Sequence, residues 1–253
     1  MIVNTSTQGW EIIFQRAHGL LASKIGFYWQ KKERPKRWLE TLTAIAEHDD
    51  EQIGWKGMYH ITEAGAPQDF SLSKFSLEQA QRIADVSRYK SQWIALMISM
   101  HLSYLYEPLR EEKNAKEEGL DKKEHQQTIE FLDLQKENQK FFRKNLKVNQ
   151  QEAQKAYNLI HFCDRCSLIL CRQNIPEDGR KVEVFILPNK EKSYLHQRED
   201  KTICITPWIF EESEFEVSVE VHCLDQLKFE NDKELANALP SAIIREKKWI
   251  FRK

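Results

Sequence analysis

Long apolar runs, a leader-like start and an excess of charge of one sign are all missing from this sequence. The longest apolar stretch, Trp93–Tyr106, is interrupted by a histidine and two serines, and it is shorter than the roughly 20 apolar residues that a membrane-spanning helix needs. The first residues lack a basic start followed by an apolar segment, so we expect no signal peptide. The 38 basic and 39 acidic residues leave a net charge of −1, which predicts no general attraction to nucleic acid or to an anionic membrane.

Recognisable disulfide frameworks and two common catalytic motifs are also missing. The five cysteines are an odd, unevenly spaced set in a large chain, which is typical of reduced thiols in the cytoplasm. No glycine-rich phosphate loop and no Gly-x-Ser-x-Gly element is present, so nothing favours a P-loop nucleotide-binding protein or a serine hydrolase. We therefore expect a soluble cytoplasmic protein without a membrane or nucleic-acid partner, and the sequence does not predict its oligomeric state.

The spacing of apolar residues predicts an α+β fold whose first part is mainly helical. Two short strands, Ile2–Val3 and Trp10–Phe14, are expected to come first. Helices are then predicted over residues 15–29, 37–49, from 76, 91–106, 126–146 and 150–172. The charge-dense segment 107–125 is predicted to be a solvated connection.

Strand-like patterns dominate after Ile175-Pro176. The clearest is Ser213–Cys223, where apolar and polar residues alternate as in an antiparallel sheet with one wet face. Other strands are predicted over residues 181–187, 202–206 and 248–252. We therefore predict an HD-like helical bundle over 1–172 and a small antiparallel β subdomain over 173–253, with the N-terminal strands as candidates to join that sheet.

Five ionisable side chains stand on apolar helical stripes: His18, His48, Asp49, His101 and Asp164. One such histidine alone is more often a satisfied core residue than a ligand. Five together need a shared counter-charge, because a buried carboxylate that loses its partner costs about 3–5 kcal/mol. A hydrogen-bonded charge network and a divalent cation are the two economical solutions.

The order of these residues resembles the HD superfamily of metal-dependent phosphohydrolases. The matching positions are His18, then His48-Asp49 within TLTAIAEHDD, then Asp164 within LIHFCDRCSL. The resemblance implies an all-helical core in which these four residues bind one metal ion and leave positions for water and substrate. Such a set suits Mn²⁺, Fe²⁺, Mg²⁺, Co²⁺ or Ni²⁺ better than structural Zn²⁺. It implies hydrolysis of a phosphate ester or nucleotide.

Across its length the chain resembles an uncharacterised family, domain of unknown function 3891. The runs that carry this resemblance are MIVNTSTQGWEII, residues 15–18, 47–50, 65–70, 99–101, 164–168 and 207–210. We would expect proline where Ile209 stands and a shorter spacing between Asp50 and Gly54, so the loop after the site is expected to differ. This family implies no activity, and the expected function therefore rests on the HD resemblance alone.

Four further residues are candidates for catalysis. Asp50 would act as a general base or support a ligand, although a solvent-facing aspartate at a helix end fits the sequence equally well. His101 would contact substrate phosphate or a second metal, or would simply be a core histidine. Arg16 and Arg165 adjoin predicted ligands and would clamp phosphate, unless they are ordinary surface arginines.

Two other interpretations compete with the hydrolase. The cysteines of the Cys163-x-x-Cys166 pair, with His161 and Cys171, have a zinc-like spacing, but they fall inside a predicted helix and lack a second pair. The main alternative is a non-catalytic HD-like binding or regulatory module, in which a metal or a buried charge cluster is structural.

Overall fold

The computed structural model describes residues 1–49, 59–177, 179–186 and 191–253, which form a set of helices against one curved sheet. In this part of the chain the α-helices are α1 (Gln15–Phe27), α2 (Trp38–Glu47), α3 (Leu77–Arg88), α4 (Gln92–Tyr106), α5 (Glu112–Glu118), α6 (Lys122–Leu146), α7 (Gln150–Cys171) and α8 (Asp232–Ala238). The strands are β1 (Ile2–Thr5), β2 (Trp10–Ile13), β3 (Val182–Ile186), β4 (Lys192–Gln197), β5 (Ile203–Thr206), β6 (Glu214–Leu224) and β7 (Ile243–Arg252).

The seven strands form a single sheet in the order β1-β2-β6-β7-β5-β4-β3. The long strands β6 and β7 pair antiparallel from Glu214 opposite Arg252 to Cys223 opposite Ile243. The pairing of β5 with β7 is parallel, so the sheet is mixed. Apolar residues of β6, such as Val217 and Val219, are buried, whereas the alternate residues are more exposed.

The predicted fold class is wrong. Over its described residues the protein is 52% helical, with a seven-stranded mixed sheet that forms a half-barrel, and it is neither a mainly helical HD-like bundle nor a bundle with a small antiparallel sheet. The sheet is larger than predicted because it contains β4, which was not predicted, and a longer β7. The strands β1 and β2, which were candidates to join it, extend the sheet beyond β6 through pairing between residues more than 200 positions apart, such as Trp10 and Leu224. The predicted division at residue 172 into two domains stays a prediction.

The charge-dense segment 107–125 is more ordered than predicted. It contains α5 and the start of α6, and Asp121 caps α6 through hydrogen bonds from the backbone N–H groups of Lys123 and Glu124. The Glu124 side chain accepts a hydrogen bond from the Asp121 backbone in return, which completes a capping box. Local capping therefore compensates for the small apolar surface of this segment.

The apolar helix α4 is a central buried helix, as its composition predicts. It begins after Ser91, whose hydroxyl accepts hydrogen bonds from the N–H groups of Trp93 and Ile94. It packs against α2, α3, α6 and α7, and most of its side chains are buried. Among the described residues, none of the helices has the length and apolar character that crossing a bilayer requires.

Helix α1 lies between α2, α7 and the sheet strand β6. A glycine permits its close approach to α2, since a Cβ atom at Gly19 would lie 2.4 Å from the backbone oxygen of Ala46. The main core fills the space between the helices and the sheet, and it includes Ile25, Ile45 and Phe162. This packing brings the C-terminal end of α2 beside the first turn of α1.

Candidate metal centre

Four helices bring the five inward-facing ionisable residues to one place. His18 lies on α1, His101 on α4 and Asp164 on α7, while His48 and Asp49 follow the last residue of α2. The three histidines are each at most 1% exposed, and Asp164 is 8% exposed. Residues from four different parts of the chain therefore share one buried region.

The carboxylate of Asp164 is the centre of the cluster. Its Oδ1 atom lies 3.1 Å from His18 Nε2 and 3.2 Å from His48 Nε2. The two imidazole rings are 5.0 Å apart between centroids and nearly perpendicular. Both rings therefore direct the same nitrogen at the same oxygen atom.

Asp49 approaches the two histidines from another side. Its Oδ2 atom lies 3.6 Å from His18 Nδ1 and 3.7 Å from His48 Nε2. Its side chain is 25% exposed, more than any other member of the cluster. The ligand atoms of His18, His48 and Asp49 all lie within 4.8 Å of one another, as do those of His48, His101 and Asp164. The four predicted ligands and His101 thus fall into two overlapping groups that share His48, one with His18 and Asp49 and the other with His101 and Asp164.

The hydrogen bonds of the two histidines determine which ring nitrogens carry protons. His18 Nδ1–H donates to the Gln15 carbonyl oxygen at 3.1 Å, and His48 Nδ1–H donates to the Ile45 carbonyl oxygen at 2.6 Å. Because a carbonyl oxygen only accepts, these bonds keep each ring proton on Nδ1. Each neutral ring then turns an unshared electron pair of Nε2 toward Asp164 Oδ1, which is also an acceptor. A proton or a metal ion must lie between these atoms to offset their repulsion.

The donor set and its spacing fit a divalent metal ion. Two ligands at right angles on an ion with bonds of about 2.1 Å lie about 3.0 Å from each other. The separations of 3.1 and 3.2 Å between the histidine nitrogens and Asp164 Oδ1 are close to this value. Imidazole nitrogens combined with carboxylate oxygens are ligands that Mn²⁺, Fe²⁺, Co²⁺ and Ni²⁺ accept.

Without a metal ion, the cluster holds a proton. Burial disfavours a charged His48, but Asp49 and Asp164 outweigh this effect and raise the pKa of His48 to about 10. Burial likewise works against the charged form of Asp164, yet His48 and the contacts with both histidines keep the pKa of Asp164 well below its ordinary value. The site is thus built around a positive charge, which a bound metal ion would supply in place of the proton.

His101 is held as a neutral imidazole beside the cluster. Burial and the neighbouring His48 lower its pKa to about 4. Its ring lies 5.0 Å from that of His48 between centroids, and its Nδ1 atom is 3.5 Å from the Tyr157 hydroxyl. Burial and Asp164 raise the pKa of Tyr157, so this hydroxyl keeps its proton and can either donate to His101 Nδ1 or accept from it, according to the tautomer of the ring. A neutral, oriented histidine can contact a ligand or an additional metal position.

A cavity of about 670 Å³ opens from the cluster. Asp49, His101 and Asp164 line one part of it, and this volume is in the range of small-molecule sites. The rest of its wall includes the aromatic residues Tyr59, Phe70, Phe75 and Tyr106 and the cationic residues Lys74 and Arg82. A small molecule in this cavity would therefore meet carboxylates and an imidazole at one part of the wall and rings and cations elsewhere.

The remaining predicted catalytic residues are placed differently. Arg16 is exposed at the start of α1. Its positive charge partly offsets the rise that burial causes in the pKa of Tyr59, a residue of the cavity wall. Arg165 is exposed and its Nε–H donates to the backbone oxygen of Glu183 in β3. Neither arginine is among the described residues that line the cavity. Asp50 lies outside the described residues.

Gln15 is a member of the site that the sequence does not single out. It is 4% exposed, lines the cavity and precedes His18 by three positions, which places both side chains on one face of α1. A neutral amide on an apolar stripe gives a weaker signal than a charged group, because its burial costs less. The spacing to His18 is the sequence feature that could have identified it.

The cysteine-based zinc site has no support in the described structure. Cys163, Cys166 and Cys171 are buried free thiols within α7. Burial raises the pKa of Cys163 well above its ordinary value, which disfavours the thiolate that zinc binds. Among the described residues, the groups with metal-compatible geometry contain histidine and aspartate only.

The fold and the site together define a protein of helices and a seven-stranded mixed sheet, with a buried histidine–aspartate cluster beside a cavity. The chain belongs to the family described as "Protein of unknown function (DUF3891)", whose sequence profile matches residues 1–226. No curated protein and no solved structure matches the chain. The matched residues contain the whole cluster, whereas the strand β7, central in the sheet, lies beyond them.

Proposed function

We propose that this protein is a metal-dependent phosphohydrolase that binds one divalent ion through His18, His48, Asp49 and Asp164. The observation that supports this proposal is the approach of His18 Nε2 and His48 Nε2 to the same oxygen of Asp164, at 3.1 and 3.2 Å, beside a cavity of about 670 Å³. Three acceptor atoms at these distances favour a cation, and the cavity gives a substrate access to it.

The ligand set resembles that of the HD-type enzymes, and the proposal takes over this set without their all-helical fold. A bound divalent ion lowers the pKa of a coordinated water and polarises a phosphoryl oxygen. The carbonyl oxygens of Gln15 and Ile45 would hold the two histidine rings in place, as outer hydrogen bonds do for metal-binding imidazoles. His101, neutral and oriented by Tyr157, would donate to a phosphoryl oxygen or contact a second ion.

The cavity supports a small phosphate ester or nucleotide as the substrate. Phe70, Phe75 and Tyr106 present rings that suit an apolar or aromatic leaving group. Lys74 and Arg82 add positive charge on the same wall. Burial and Asp49 raise the pKa of Tyr106 to about 12, so its hydroxyl remains a hydrogen-bond donor at neutral pH.

A turnover assay with added metal tests the proposal. Purified protein is incubated with p-nitrophenyl phosphate and bis(p-nitrophenyl) phosphate in the presence of Mn²⁺, Mg²⁺, Co²⁺ or Ni²⁺. We expect hydrolysis that requires metal and that falls at least about 100-fold in His48→Ala, because a ligand is lost. His196→Ala, which changes a histidine of β4 outside the cavity wall, is the matched control and should retain activity.

Two results would contradict the hydrolase. Stoichiometric metal binding without turnover on these esters and on a broad nucleotide panel would favour a non-catalytic binding or regulatory module. No metal binding at all, with stability unaffected by chelation, would leave the cluster as a structural charge network.

A further inference from the structure

The Gln15 side chain has an unusual position beside the cluster. Its Oε1 atom is buried and has no hydrogen-bond donor among the described residues. The backbone oxygen of the same residue holds His18 Nδ1–H at 3.1 Å, which fixes the start of α1 next to the ligand ring. Burying an amide oxygen without a partner costs about 1–3 kcal/mol, so this atom is expected to meet a donor when the site is in use.

The groups around Gln15 limit which donor can reach its Oε1 atom. Gln15 lines the same cavity as Asp49, His101 and Asp164, and the carboxylates there accept hydrogen bonds without donating any at neutral pH. The two predicted ligand histidines already donate through Nδ1 to backbone oxygens. Other donors that line the cavity, such as His101, Tyr106 and Lys74, form no hydrogen bond with Gln15 Oε1 either, so we take a ligand in the cavity as its donor.

We propose that Gln15 is a positioning and specificity residue, whose Oε1 accepts a hydrogen bond from the hydroxyl group of the attacking water and then of the product phosphate. This inference rests on the proposed function for its role in the reaction. It also predicts a property of the resting protein, namely that the site distinguishes anions that carry an O–H group from anions that do not.

The reaction explains how one acceptor serves both species. The water oxygen forms a bond to phosphorus while the bond between phosphorus and the ester oxygen breaks. One proton of the water passes to the leaving oxygen, which departs as an alcohol, and the other stays on the new P–OH group. An acceptor at Gln15 Oε1 would hold this remaining proton from start to finish and orient a lone pair of the water toward phosphorus.

Hydrogen phosphate and sulfate provide a direct test, because they share shape and charge while only hydrogen phosphate has an O–H donor. Their binding to Mn²⁺-loaded protein is measured by calorimetry above about pH 8, where phosphate is the dianion. We expect wild-type protein to prefer phosphate by about tenfold, the size of one hydrogen bond left unmade in a buried site. Gln15→Met, which keeps the length and loses the acceptor, should bind both anions equally.

Matched variants keep the result interpretable. Gln81→Met makes the same chemical change at an exposed position of α3 outside the cavity wall and should retain the preference for phosphate. Gln15→Asn withdraws the amide by one methylene and should lose the preference, which provides a second variant if Gln15→Met does not fold. The Mn²⁺ dissociation constant should change less than about threefold in both Gln15 variants, since Gln15 is not a metal ligand.

The outcomes separate this inference from the hydrolase itself. A wild-type protein without a phosphate preference, a preference for sulfate, or a preference that survives in Gln15→Met would each overturn the role of Gln15. An intact, Gln15-dependent preference in a protein without turnover would contradict the hydrolase and leave the anion selectivity in place. Where turnover is found, Gln15→Met should lower kcat about tenfold with little change in KM.

Discussion

Two histidine–aspartate pairs in this protein have the same chemistry in opposite surroundings. His48 and Asp164 are 3.2 Å apart, with side chains 1% and 12% exposed, and His18 contacts the same carboxylate oxygen. His60 and Asp232 are 2.8 Å apart, with side chains 56% and 51% exposed. Water surrounds the second pair and screens it, so it needs no further partner and contributes at most about 1 kcal/mol to stability.

The comparison indicates that convergence and burial, rather than the pair itself, favour a positive charge at the buried cluster. At Asp164, two electron pairs from histidines and a carboxylate meet where water is largely excluded. At Asp232, the carboxylate also accepts a hydrogen bond from the backbone N–H of Ile61, which is a donor already supplied by the chain. Substitutions at the two pairs should therefore have very different consequences for metal binding.

The largest expected difference is between Asp164→Asn and Asp232→Asn. Asp164→Asn removes the charge that both histidines face, and it should weaken Mn²⁺ binding at least about 100-fold. This is more than the loss expected when a residue that only hydrogen-bonds to a ligand is changed. Asp232→Asn should leave the Mn²⁺ dissociation constant unchanged within about twofold. Calorimetric titration of both variants measures this difference, and comparable affinities in the two variants would place the ion elsewhere.

An intermediate effect is expected from the helix contact that forms the buried cluster. Gly19→Ala would place a Cβ atom 2.4 Å from the Ala46 backbone oxygen, so α1 and α2 would have to separate. We expect a loss of about 1–3 kcal/mol in the free energy of unfolding, measured in urea, together with weaker Mn²⁺ binding.

Gly26→Ala is the control for this helix contact. Its Cβ would lie 3.2–3.3 Å from side-chain atoms that can move, so we expect less than about 1 kcal/mol of destabilisation and normal metal binding. Equal effects at the two glycines would show that the close approach of α1 to α2 does not determine the site.

The third expected effect concerns pH. The pKa of His48 is raised from 6.5 to about 10 in the folded protein, so its contribution to stability is fully present below pH 6.5 and is lost as pH rises through about 10. Metal-free protein should therefore lose stability across this interval, as measured by urea unfolding in the presence of a chelator. Saturating Mn²⁺ should flatten the dependence, because the ion replaces the proton.

Variants at the two pairs check the origin of this pH dependence. His48→Gln should abolish it. Asp232→Asn should leave it unchanged, because the pKa of Asp232 is lowered from 3.8 and its carboxylate stays charged throughout this pH range. A slope that persists in His48→Gln would assign the effect to another group.

The inward direction of the charged side chains was easier to predict from the sequence than the fold. His18, His48 and Asp164 stand on apolar helical stripes, and a local pattern is enough to show that a charged group faces the core. The hydrogen-bond acceptor of each histidine ring depends on the local backbone, and the sequence did not predict which carbonyl oxygen it would be. The orphaned Oε1 of Gln15 depends on the cavity, which no local pattern describes.

The sheet was predicted poorly because its pattern is only partly local. Strand β6 alternates cleanly and was predicted, whereas β4 was missed and only residues 248–252 of β7 were predicted. The first part of β7 carries four consecutive charged residues, Arg245 to Lys248, which hide its strand character. The order of the strands depends on contacts between distant segments, such as Ile203 with Phe251, and periodicity gives no information about these.

Anomalous diffraction from crystals soaked in Mn²⁺ tests the central claim most directly. We predict one strong peak within about 2.0–2.3 Å of His18 Nε2, His48 Nε2 and one oxygen each of Asp49 and Asp164, and none at the exposed pair of His60 and Asp232. No peak at the buried cluster, in protein that is folded and saturated with Mn²⁺, would contradict the account.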